Sequence, residues 1–307
     1  MNKFKLLCLA ILSIMAIFML AACGGDAGAQ TPPVILDLDV QVQAQNEELP
    51  PDSTALLSVH FIDVGQGDAI LLVQGDYAML VDGGPSEAGL DVFANIRDLG
   101  ISRLTYVVNT HPFADHVGGL SAVVSRMDVD FALIPMIHHS TPDFYAFLDT
   151  LESVGQVIVP LADTEQGNIF RLGSAEITIL SPMAADNWDN IANFSIVMRV
   201  VFGNTSFLLT GDAMREVENR LLDSDAVLSS DVLKVSRHGS AAATTSAFLD
   251  AVNPSIAVIS AEERSDFISQ EVLGRLSSRG IHTFKTYERG TIVITSDGAV
   301  LSVVVEK

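Results

Sequence analysis

The amino-acid sequence predicts an α/β protein in which two mixed β-sheets pack face to face and helices cover their outer sides. Two observations lead to this expectation. Short apolar stretches separated by turn signals, which are typical of strands, occur in two blocks, and stretches with helical spacing are interspersed in both. The 307 residues are 49% hydrophobic, which is enough apolar material for the core of a domain of this size.

The first block predicts five strands and three helices. Its segments are, in order, the strand LLSVHFIDV, the hairpin AILLVQGDYAMLVDGG, the helix SEAGLDVFANIRDLG, the strand LTYVVNTH, the helix HVGGLSAVVSRM, the strand FALIP and the helix STPDFYAFLDTLESVG. A Gly-Asp pair marks the hairpin turn, and Gly100 ends the first helix. Ser140 or Thr141 is expected to cap the third helix, with Pro142 in its first turn.

The second block predicts a run of strands followed by alternating helices and strands. Its segments are the strands VIVP, AEITILSP, FSIVMRVVFG and TSFLLTG, the helix AMREVENRLLD, the strand DVLKVSRHGS, the helix TTSAFLDAVN, the strand SIAVISA, the helix QEVLGRLSSRG, and the strands TIVITS and AVLSVVVE. The dipeptides Gly203-Asn204 and Asp297-Gly298 are expected hairpin turns. Two blocks of this kind are what the two sheets of the predicted sandwich require.

The N-terminus has the pattern of a secretory leader. Residues 1–22 contain two lysines, then an apolar run, then small residues. The closing Leu20-Ala21-Ala22-Cys23 resembles the lipobox of bacterial lipoproteins, which implies cleavage before Cys23 and attachment of a lipid to it. A short membrane anchor formed by the apolar run that begins at Leu6 is the alternative. The leader therefore predicts a protein outside the cytoplasm, lipid-anchored to the bacterial cell membrane.

The rest of the chain is expected to be a tether followed by one domain. Residues 23–54 are rich in Gly, Pro, Gln and acids and predict a flexible tether, within which VILDLDVQV has the alternation of a short edge strand. Residues 55–307 are expected to form one hydrolase domain. The two cysteines are Cys8 in the leader and Cys23, so no thiol remains for a disulfide or a thiolate metal site.

The charge of the chain restricts its partners. The sequence has 17 basic and 38 acidic residues, a formal net charge of −21, and the two leader lysines reduce the basic count further once removed. Binding of long duplex DNA depends on Lys and Arg contacts to phosphates, so DNA is disfavoured as a substrate. A small phosphoester or a zwitterionic cell-wall substituent fits this charge better.

Five polar residues follow predicted strands and have the chemistry of metal ligands. They are His111, Asp115, His116, Asp212 and His238. Imidazole and carboxylate groups bind divalent cations such as Zn²⁺, and loops at one end of stacked sheets bring separate strand ends together. The alternative is structural, because a single buried histidine or a turn aspartate usually has no ligand. Four of these residues at strand ends, Asp115, His116, Asp212 and His238, favour a metal site over that alternative.

Motifs that contain these residues resemble those of a known family. The segments THPFADHVGG, LLTGDA and VLKVSRHGS, with HFIDVGQGDAILL and VDGG, are similar to the metallo-β-lactamase-fold hydrolases, and the closest branch is the soluble domain of ComEC-type competence proteins. The resemblance extends over residues 55–305. It implies a four-layer αββα sandwich. Hydrolysis of β-lactams is not expected, because DVGQGDA is typical of the competence branch.

The resemblance also implies which residues bind metal. The family motif His-x-His-x-Asp-His is matched by His111, Asp115 and His116, but Phe113 stands where the family has its middle histidine. One of the family's two metal positions would use Asp115, His116, Asp212 and His238 and is complete here. The other retains only His111 and Asp212, so a mainly single-metal centre with one Zn²⁺ or Mn²⁺ per chain is expected.

Further site residues are expected from position and from the resemblance. Asp115, Asp212 and Arg237 are the expected catalytic residues, with Arg237 holding an anionic group beside His238. The residues expected to contact the substrate or support the ligands are Asp82, His139, Asn193 and Ser195.

Two functions remain open from the sequence. The first is a membrane-anchored, extracytoplasmic, metal-dependent hydrolase, of the phosphodiesterase or nuclease kind, that uses a metal-bound hydroxide on a phosphodiester. The second is a binding protein without catalysis that keeps the fold but has a degraded metal centre, as the departures at Phe113 and Arg237 suggest.

Overall fold

A computed structural model of the chain describes residues 55–135, 137, 141–161, 169–183 and 186–307, and these belong to one compact unit. The leader, Cys23, the tether with its expected edge strand, and His139 lie outside the described residues. Within the part described, no helix combines the length and the apolar character that crossing a membrane requires.

The first sheet contains eight strands in the order β15-β14-β1-β2-β3-β4-β5-β6. Its strands are β1 Leu57–Phe61, β2 Ile70–Gln74, β3 Tyr77–Val81, β4 Arg103–Val108, β5 Asp128–Pro135, β6 Ile158–Leu161, β14 Ile292–Ser296 and β15 Leu301–Val305. Pairing is antiparallel from β15 to β3 and parallel from β3 to β6. The expected Gly-Asp hairpin turn lies between β2 and β3, where Gln74 pairs with Tyr77.

The second sheet contains seven strands in the order β13-β12-β11-β10-β9-β8-β7. Its strands are β7 Ile169–Leu172, β8 Ala175–Ser181, β9 Val197–Phe202, β10 Thr205–Leu209, β11 Val232–Lys234, β12 Ile256–Ile259 and β13 His282–Lys285. Strands β10 to β13 are parallel, and β7 to β10 are antiparallel. Each sheet is therefore mixed, and each has parallel strands whose carboxyl ends can carry functional loops.

Helices pack on the outer sides of the sheets. They are α1 Gly89–Asp98, α2 Ala114–Val117, α3 Leu120–Val124, α4 Pro142–Ser153, α5 Arg215–Leu222, α6 Ser246–Val252, α7 Gln270–Ser278 and α8 Thr286–Arg289. One apolar cluster lies between the sheets, a second between the first sheet and α1, α3 and α4, and a third between the second sheet and α5 to α7. These layers are the predicted αββα sandwich, which is confirmed.

Two segments near the site differ from the expected elements. HVGGLSAVVSRM forms two short helices, α2 and α3, because the Gly119 N–H donates to the carbonyl of Gly84 and the carbonyl of His116 accepts from the Gly83 N–H, so these groups leave the helical hydrogen-bond pattern. DVLKVSRHGS is a strand only to Lys234, after which the backbone turns. Arg237 and His238 both have positive φ, 47° and 54°, which ends the strand and turns the imidazole of His238 inward.

Candidate metal centre

The five expected ligands come from three loops, and the fold brings these loops together. His111, Asp115 and His116 lie after β4 and in α2, on the first sheet. Asp212 lies three residues beyond β10, and His238 lies in a 3₁₀ turn after β11, both on the second sheet. The site therefore lies where the carboxyl ends of parallel strands from the two sheets meet.

Three ligand atoms form an almost equilateral triangle. His116 Nε2 is 3.3 Å from His238 Nε2 and 3.3 Å from Asp212 Oδ1, and His238 Nε2 is 3.4 Å from Asp212 Oδ1. Ligands at roughly 2.0–2.1 Å in a tetrahedron are about 3.3–3.4 Å apart, which is the spacing seen. Asp115 Oδ2 lies 3.3 Å from His238 Nε2 and offers a fourth ligand.

His111 is more distant from this triangle and is flanked by Phe113. Its Nε2 atom lies 3.8 Å from Asp212 Oδ2 and, although buried, has no hydrogen-bond partner among the described residues. The rings of His111 and Phe113 pack edge to face with centroids 5.0 Å apart. Phe113 thus fills space beside His111 with an aromatic ring and supplies no lone pair to a second position.

Asp82 sets the orientation of His116. Asp82 is fully buried, and its Oδ2 atom accepts hydrogen bonds from His116 Nδ1 at 2.8 Å and from Thr110 Oγ1 at 2.6 Å. Its Oδ1 atom accepts from the Thr110 backbone N–H at 2.8 Å and from Asn109 Nδ2 at 3.3 Å. Because a carboxylate only accepts, His116 carries its proton on Nδ1 and directs the lone pair of Nε2 into the site.

The other two histidines are held in the same tautomer by different partners. His238 Nδ1 donates to the carbonyl oxygen of Ser260 at 2.8 Å, and a carbonyl can only accept. The Thr110 hydroxyl donates its proton to Asp82, so it accepts from His111 Nδ1 at 3.0 Å. All three imidazoles consequently turn Nε2, the atom through which each could bind a cation, toward a common space.

The comparison with known proteins identifies the family. The family model described as the metallo-beta-lactamase superfamily matches residues 62–262. The chain belongs to the metallo-beta-lactamase superfamily. It is 28% identical to ComE operon protein 3 of Bacillus subtilis (strain 168), a match that covers 76% of this chain and 32% of that protein. It is also 28% identical to Competence protein ComA of Neisseria gonorrhoeae, with 80% and 33% covered.

These matches confirm the ComEC-type resemblance, and the chain spans about a third of the length of these curated relatives. Among solved structures, a mutant of CmlA beta-hydroxylase superposes with a TM-score of 0.51 at 14% identity, over 78% of this chain and 53% of that one. At this identity the match concerns the fold alone. The family match and the layers of the structure together confirm the metallo-beta-lactamase fold that the resemblance implied.

The donor set of this superfamily member fits a divalent cation. Two groups of residues, His111 with His116 and Asp212, and Asp115 with His116 and His238, each place three ligand atoms within 4.8 Å of one another. Asp212 Oδ1 faces two imidazole nitrogens, yet neither contact has good hydrogen-bond geometry. Several buried lone pairs converge there, and a cation bound by all of them would satisfy them together.

The charges of the ligands are strongly coupled. Burial opposes ionisation of Asp212, but His238 and His116 hold its pKa well below the usual range. The pKa of Asp115 is lowered in the same way, with burial opposed by His238 and His116. Burial also opposes the charge on His116, yet Asp212 and Asp82 raise its pKa well above the ordinary value. The site thus favours positive charge at His116, and a bound cation would take the place of that proton.

Asn193 and Ser195, expected to contact the substrate or support the ligands, hold the loop that carries Asp212. Both are buried, and Ser195 Oγ accepts the backbone N–H of Asp212 at 3.0 Å. Asn193 Oδ1 accepts from Met214 N at 3.0 Å, and its Nδ2 donates to Glu216 Oε2 at 3.3 Å. Since these polar atoms are already used, the contacts assign both residues to positioning Asp212.

Arg237 contacts an aromatic ring beside His238. Its guanidinium carbon lies 5.6 Å from the centre of the Phe267 ring, and Nη1 lies 3.5 Å from Met214 Sδ. The Phe267 ring is in turn 5.8 Å from the ring of His238. The head group is half-buried and makes no ion pair with the described residues, so its charge is free for an anionic group.

Two supporting residues were not expected from the sequence. The Thr110 hydroxyl makes hydrogen bonds to both His111 and Asp82. Its position between an apolar strand and a ligand histidine could have indicated this role. Lys234 is completely buried next to Asp68, and a lysine inside the apolar run VLKV was the signal there. His60, in contrast, lies in β1, and its Nε2 atom is 3.0 Å from Ser58 Oγ.

Proposed function

We propose that this protein is a membrane-anchored, extracytoplasmic, metal-dependent hydrolase that cleaves a phosphodiester with one principal Zn²⁺ or Mn²⁺ ion. The observation that carries the proposal is the triangle of His116 Nε2, His238 Nε2 and Asp212 Oδ1, with sides of 3.3–3.4 Å and with both imidazoles held as acceptors. Membership of a metal-dependent hydrolase superfamily supports it.

Asp115, His116, Asp212 and His238 would hold the ion. When bound, a divalent cation supplies Lewis acidity, which polarises a phosphoryl oxygen and makes a nearby water more acidic. The protein supplies the geometry. Asp82 keeps His116 in one tautomer, and Ser195 fixes the backbone at Asp212. The side chain of Asp115 is 29% exposed, against 0–4% for the other three, so it lies on the side that a substrate can reach.

Arg237 is the residue we assign to the anionic part of the substrate. Phe113 leaves the second metal position of the family without one ligand, so a second Lewis acid is not available to hold a phosphoryl oxygen. A guanidinium offers a planar pair of donors that matches phosphate. Arg237→Ala is expected to raise KM or lower kcat for a phosphodiester, and Arg237→Lys to recover part of the loss. Unchanged constants in the alanine variant would remove Arg237 from the mechanism.

The charge of the chain restricts the substrate class. The relatives are named for competence, which would suggest DNA. A formal net charge of −21 opposes binding of a long polyanion, because affinity for DNA comes largely from cationic contacts to phosphates. We therefore infer a small phosphodiester or a zwitterionic cell-wall group as substrate, and place long duplex DNA last.

Metal content and turnover, measured together, test the proposal. The full chain, purified in detergent, is expected to bind about one Zn²⁺ or Mn²⁺ ion by elemental analysis and to hydrolyse bis-p-nitrophenyl phosphate. Asp212→Ala should abolish both. Asp250→Ala is the matched control, because Asp250 lies in α6 with an exposed side chain paired to Arg279. A chain that binds no metal at saturating Zn²⁺ and Mn²⁺ would instead favour the alternative of a binding protein without catalysis.

A second experiment tests the anchor. Cys23→Ala is expected to prevent lipid attachment, because the thiol that would carry the lipid is absent. Metabolic labelling with a radioactive fatty acid and fractionation of cells then distinguish the two proteins. The wild type should be labelled and sediment with membranes, and the variant should be unlabelled. Equal labelling of both would contradict the lipoprotein assignment.

A further inference from the structure

Lys234 is a completely buried lysine at the carboxyl end of β11. An ammonium group removed from water is costly unless it is paired and hydrogen-bonded. Its Nζ atom forms an ion pair with Asp68 Oδ2 and donates to the carbonyl oxygen of Gly211 at 3.0 Å. No hydrogen bond from the described residues reaches the carboxylate of Asp68, which is 1% exposed, so Lys234 is the group that compensates its charge.

The two partners of Lys234 lie in loops of different sheets. Asp68 lies in the loop between β1 and β2 of the first sheet, and its backbone N–H donates to the carbonyl of Asp115 at 3.2 Å. Asp68 Oδ2 is also 3.8 Å from His116 Nδ1. Gly211 lies in the loop that follows β10 of the second sheet and directly precedes Asp212 in the chain. Lys234 therefore connects Asp68, which lies beside the ligands of the first sheet, to Gly211, which precedes the ligand Asp212 of the second sheet.

Asp68 and Asp82 both face the Nδ1 side of His116. Together with His116 they form a third group of ligand-type atoms within 4.8 Å of one another. Asp82 makes the hydrogen bond, at 2.8 Å, and Asp68 is a further ångström away. Two unpaired carboxylates would compete for the single Nδ1–H, but the ammonium of Lys234 holds Asp68 in its own contact. His116 is then left with one partner and one orientation.

We propose that Lys234 is a positioning residue that fixes the separation between the cation ligands of the two sheets and reserves the Nδ1–H of His116 for Asp82. This inference rests on the proposed cation site. It adds a requirement that the ligand set alone does not imply. The buried ammonium group of Lys234 is needed for the site to bind its divalent cation with full affinity. A purely structural ion pair would stabilise the fold without affecting cation binding.

The two roles separate when both partners are removed. Removal of one member of a buried ion pair leaves an uncompensated charge and destabilises strongly, whereas removal of both relieves that charge. Lys234→Met keeps the length of the side chain, and Asp68→Asn keeps its shape. The double variant should therefore recover most of the stability lost in Lys234→Met. It still lacks the link from Gly211 to Asp68, so its cation affinity should remain low.

The experiment compares wild type, Lys234→Met, Asp68→Asn and the double variant, all as the full chain in detergent. Thermal unfolding of the metal-free proteins is measured beside Zn²⁺ affinity by calorimetric titration. Zn²⁺ should bind 10–100-fold more weakly to the double variant than to wild type, the range typical of residues that support ligands. Arg220→Met is the control, because Arg220 pairs with the mostly buried Asp186 at 3.5 Å and makes no contact with the ligands. It should unfold at a lower temperature and bind Zn²⁺ normally.

Each outcome decides between the proposals. A double variant that binds Zn²⁺ as wild type does would overturn the positioning role and leave the proposed hydrolase intact. Weak binding in the double variant, with wild type that binds Zn²⁺ but does not cleave bis-p-nitrophenyl phosphate, would support the positioning role and overturn the hydrolase. Failure of wild type to bind any Zn²⁺ would overturn both.

Discussion

Replacing Asp82 with Asn tests whether the orientation of His116 determines cation binding. The exchange keeps the size of the side chain, and Asn tolerates the positive φ of 57° at this position. The amide oxygen can still accept from the Thr110 backbone N–H. The amide nitrogen must then face His116 Nδ1 and Thr110 Oγ1, which are donors at 2.8 and 2.6 Å. Two hydrogen bonds to a carboxylate are lost, and the N–H groups of the new amide are placed against the donors of His116 and Thr110.

The expected magnitude follows from these contacts. Hydrogen bonds to a charged group contribute about 1.5–3 kcal/mol each, so the free energy of unfolding should fall by about 3 kcal/mol or more. Loss of a group that supports a ligand histidine typically weakens metal affinity about 10–100-fold, or about 1.4–2.8 kcal/mol. Zn²⁺ affinity by calorimetric titration and the free energy of unfolding in urea measure the two effects separately.

The matched control is Asp63→Asn, in the DVGQGD loop between β1 and β2. Asp63 Oδ1 accepts from the Gly65 backbone at 3.3 Å, and Oδ2 lies 3.4 Å from Lys307 Nζ near the surface. It contacts no ligand, so its exchange should leave Zn²⁺ affinity unchanged. If Asp82→Asn binds Zn²⁺ within twofold of wild type while remaining folded, His116 does not depend on Asp82 and the reasoning about its tautomer is refuted.

Three further changes test the site, the fold and the response to pH. Phe113→His should raise the Zn²⁺ content, measured by elemental analysis, from about one toward two ions per chain, because it restores a lone pair beside the unpartnered Nε2 of His111. An unchanged Zn²⁺ content would refute this. Thr141→Ala should lower the free energy of unfolding by about 1 kcal/mol, because Thr141 caps α4 by accepting from the Phe144 N–H. Thr141→Ser should restore this free energy. Equal midpoints of urea unfolding in wild type and the alanine variant would count against the cap. Burial lowers the pKa of His60, so the unfolded chain takes up a proton first, and stability should fall as pH drops below about 6.5, by at most about 1.4 kcal/mol per pH unit. His60→Gln should unfold without that part of the pH dependence, and identical slopes in both proteins would contradict the assignment.

Local sequence signals predicted the elements that depend on local interactions. The hairpin of β2 and β3 was expected from Gly75-Asp76, and its register has Gln74 opposite Tyr77. The start of α4 was expected from Thr141 and Pro142, and Thr141 Oγ1 accepts the Phe144 N–H at 3.2 Å. In both cases the residues that determine the conformation are adjacent in the chain, so their effect is visible without the tertiary structure.

Elements that depend on distant partners were not predicted. Strand β13, His282–Lys285, is short and polar and forms only because β12 offers a parallel partner. The end of β11 depends on left-handed backbone at Arg237 and His238, which is uncommon for residues other than glycine, so the sequence did not indicate the turn. The helix expected over HVGGLSAVVSRM breaks because the Gly119 N–H donates to the carbonyl of Gly84, a partner in a distant loop that no local pattern reveals.

The same distinction applies to the site. Family motifs led to the five ligand-type residues, and Asp82 was expected to support them. Thr110 and Lys234 were missed because their importance lies in contacts across the fold, to Asp82 and to Asp68, rather than in a motif. A buried lysine in an apolar strand is nevertheless a usable signal, since burial of its charge requires a partner.

The position of Phe113 explains how this chain can lose a ligand and retain the rest of the centre. The ligands of the complete position are held by partners that do not involve residue 113: His116 by Asp82, His238 by the carbonyl of Ser260, and Asp212 through the Ser195 hydroxyl. The ring of Phe113 packs against the edge of His111 instead, where the missing imidazole would leave a gap. Because each of these three residues has a support of its own, the phenylalanine at position 113 leaves their arrangement intact, which is what the proposed single-cation centre requires.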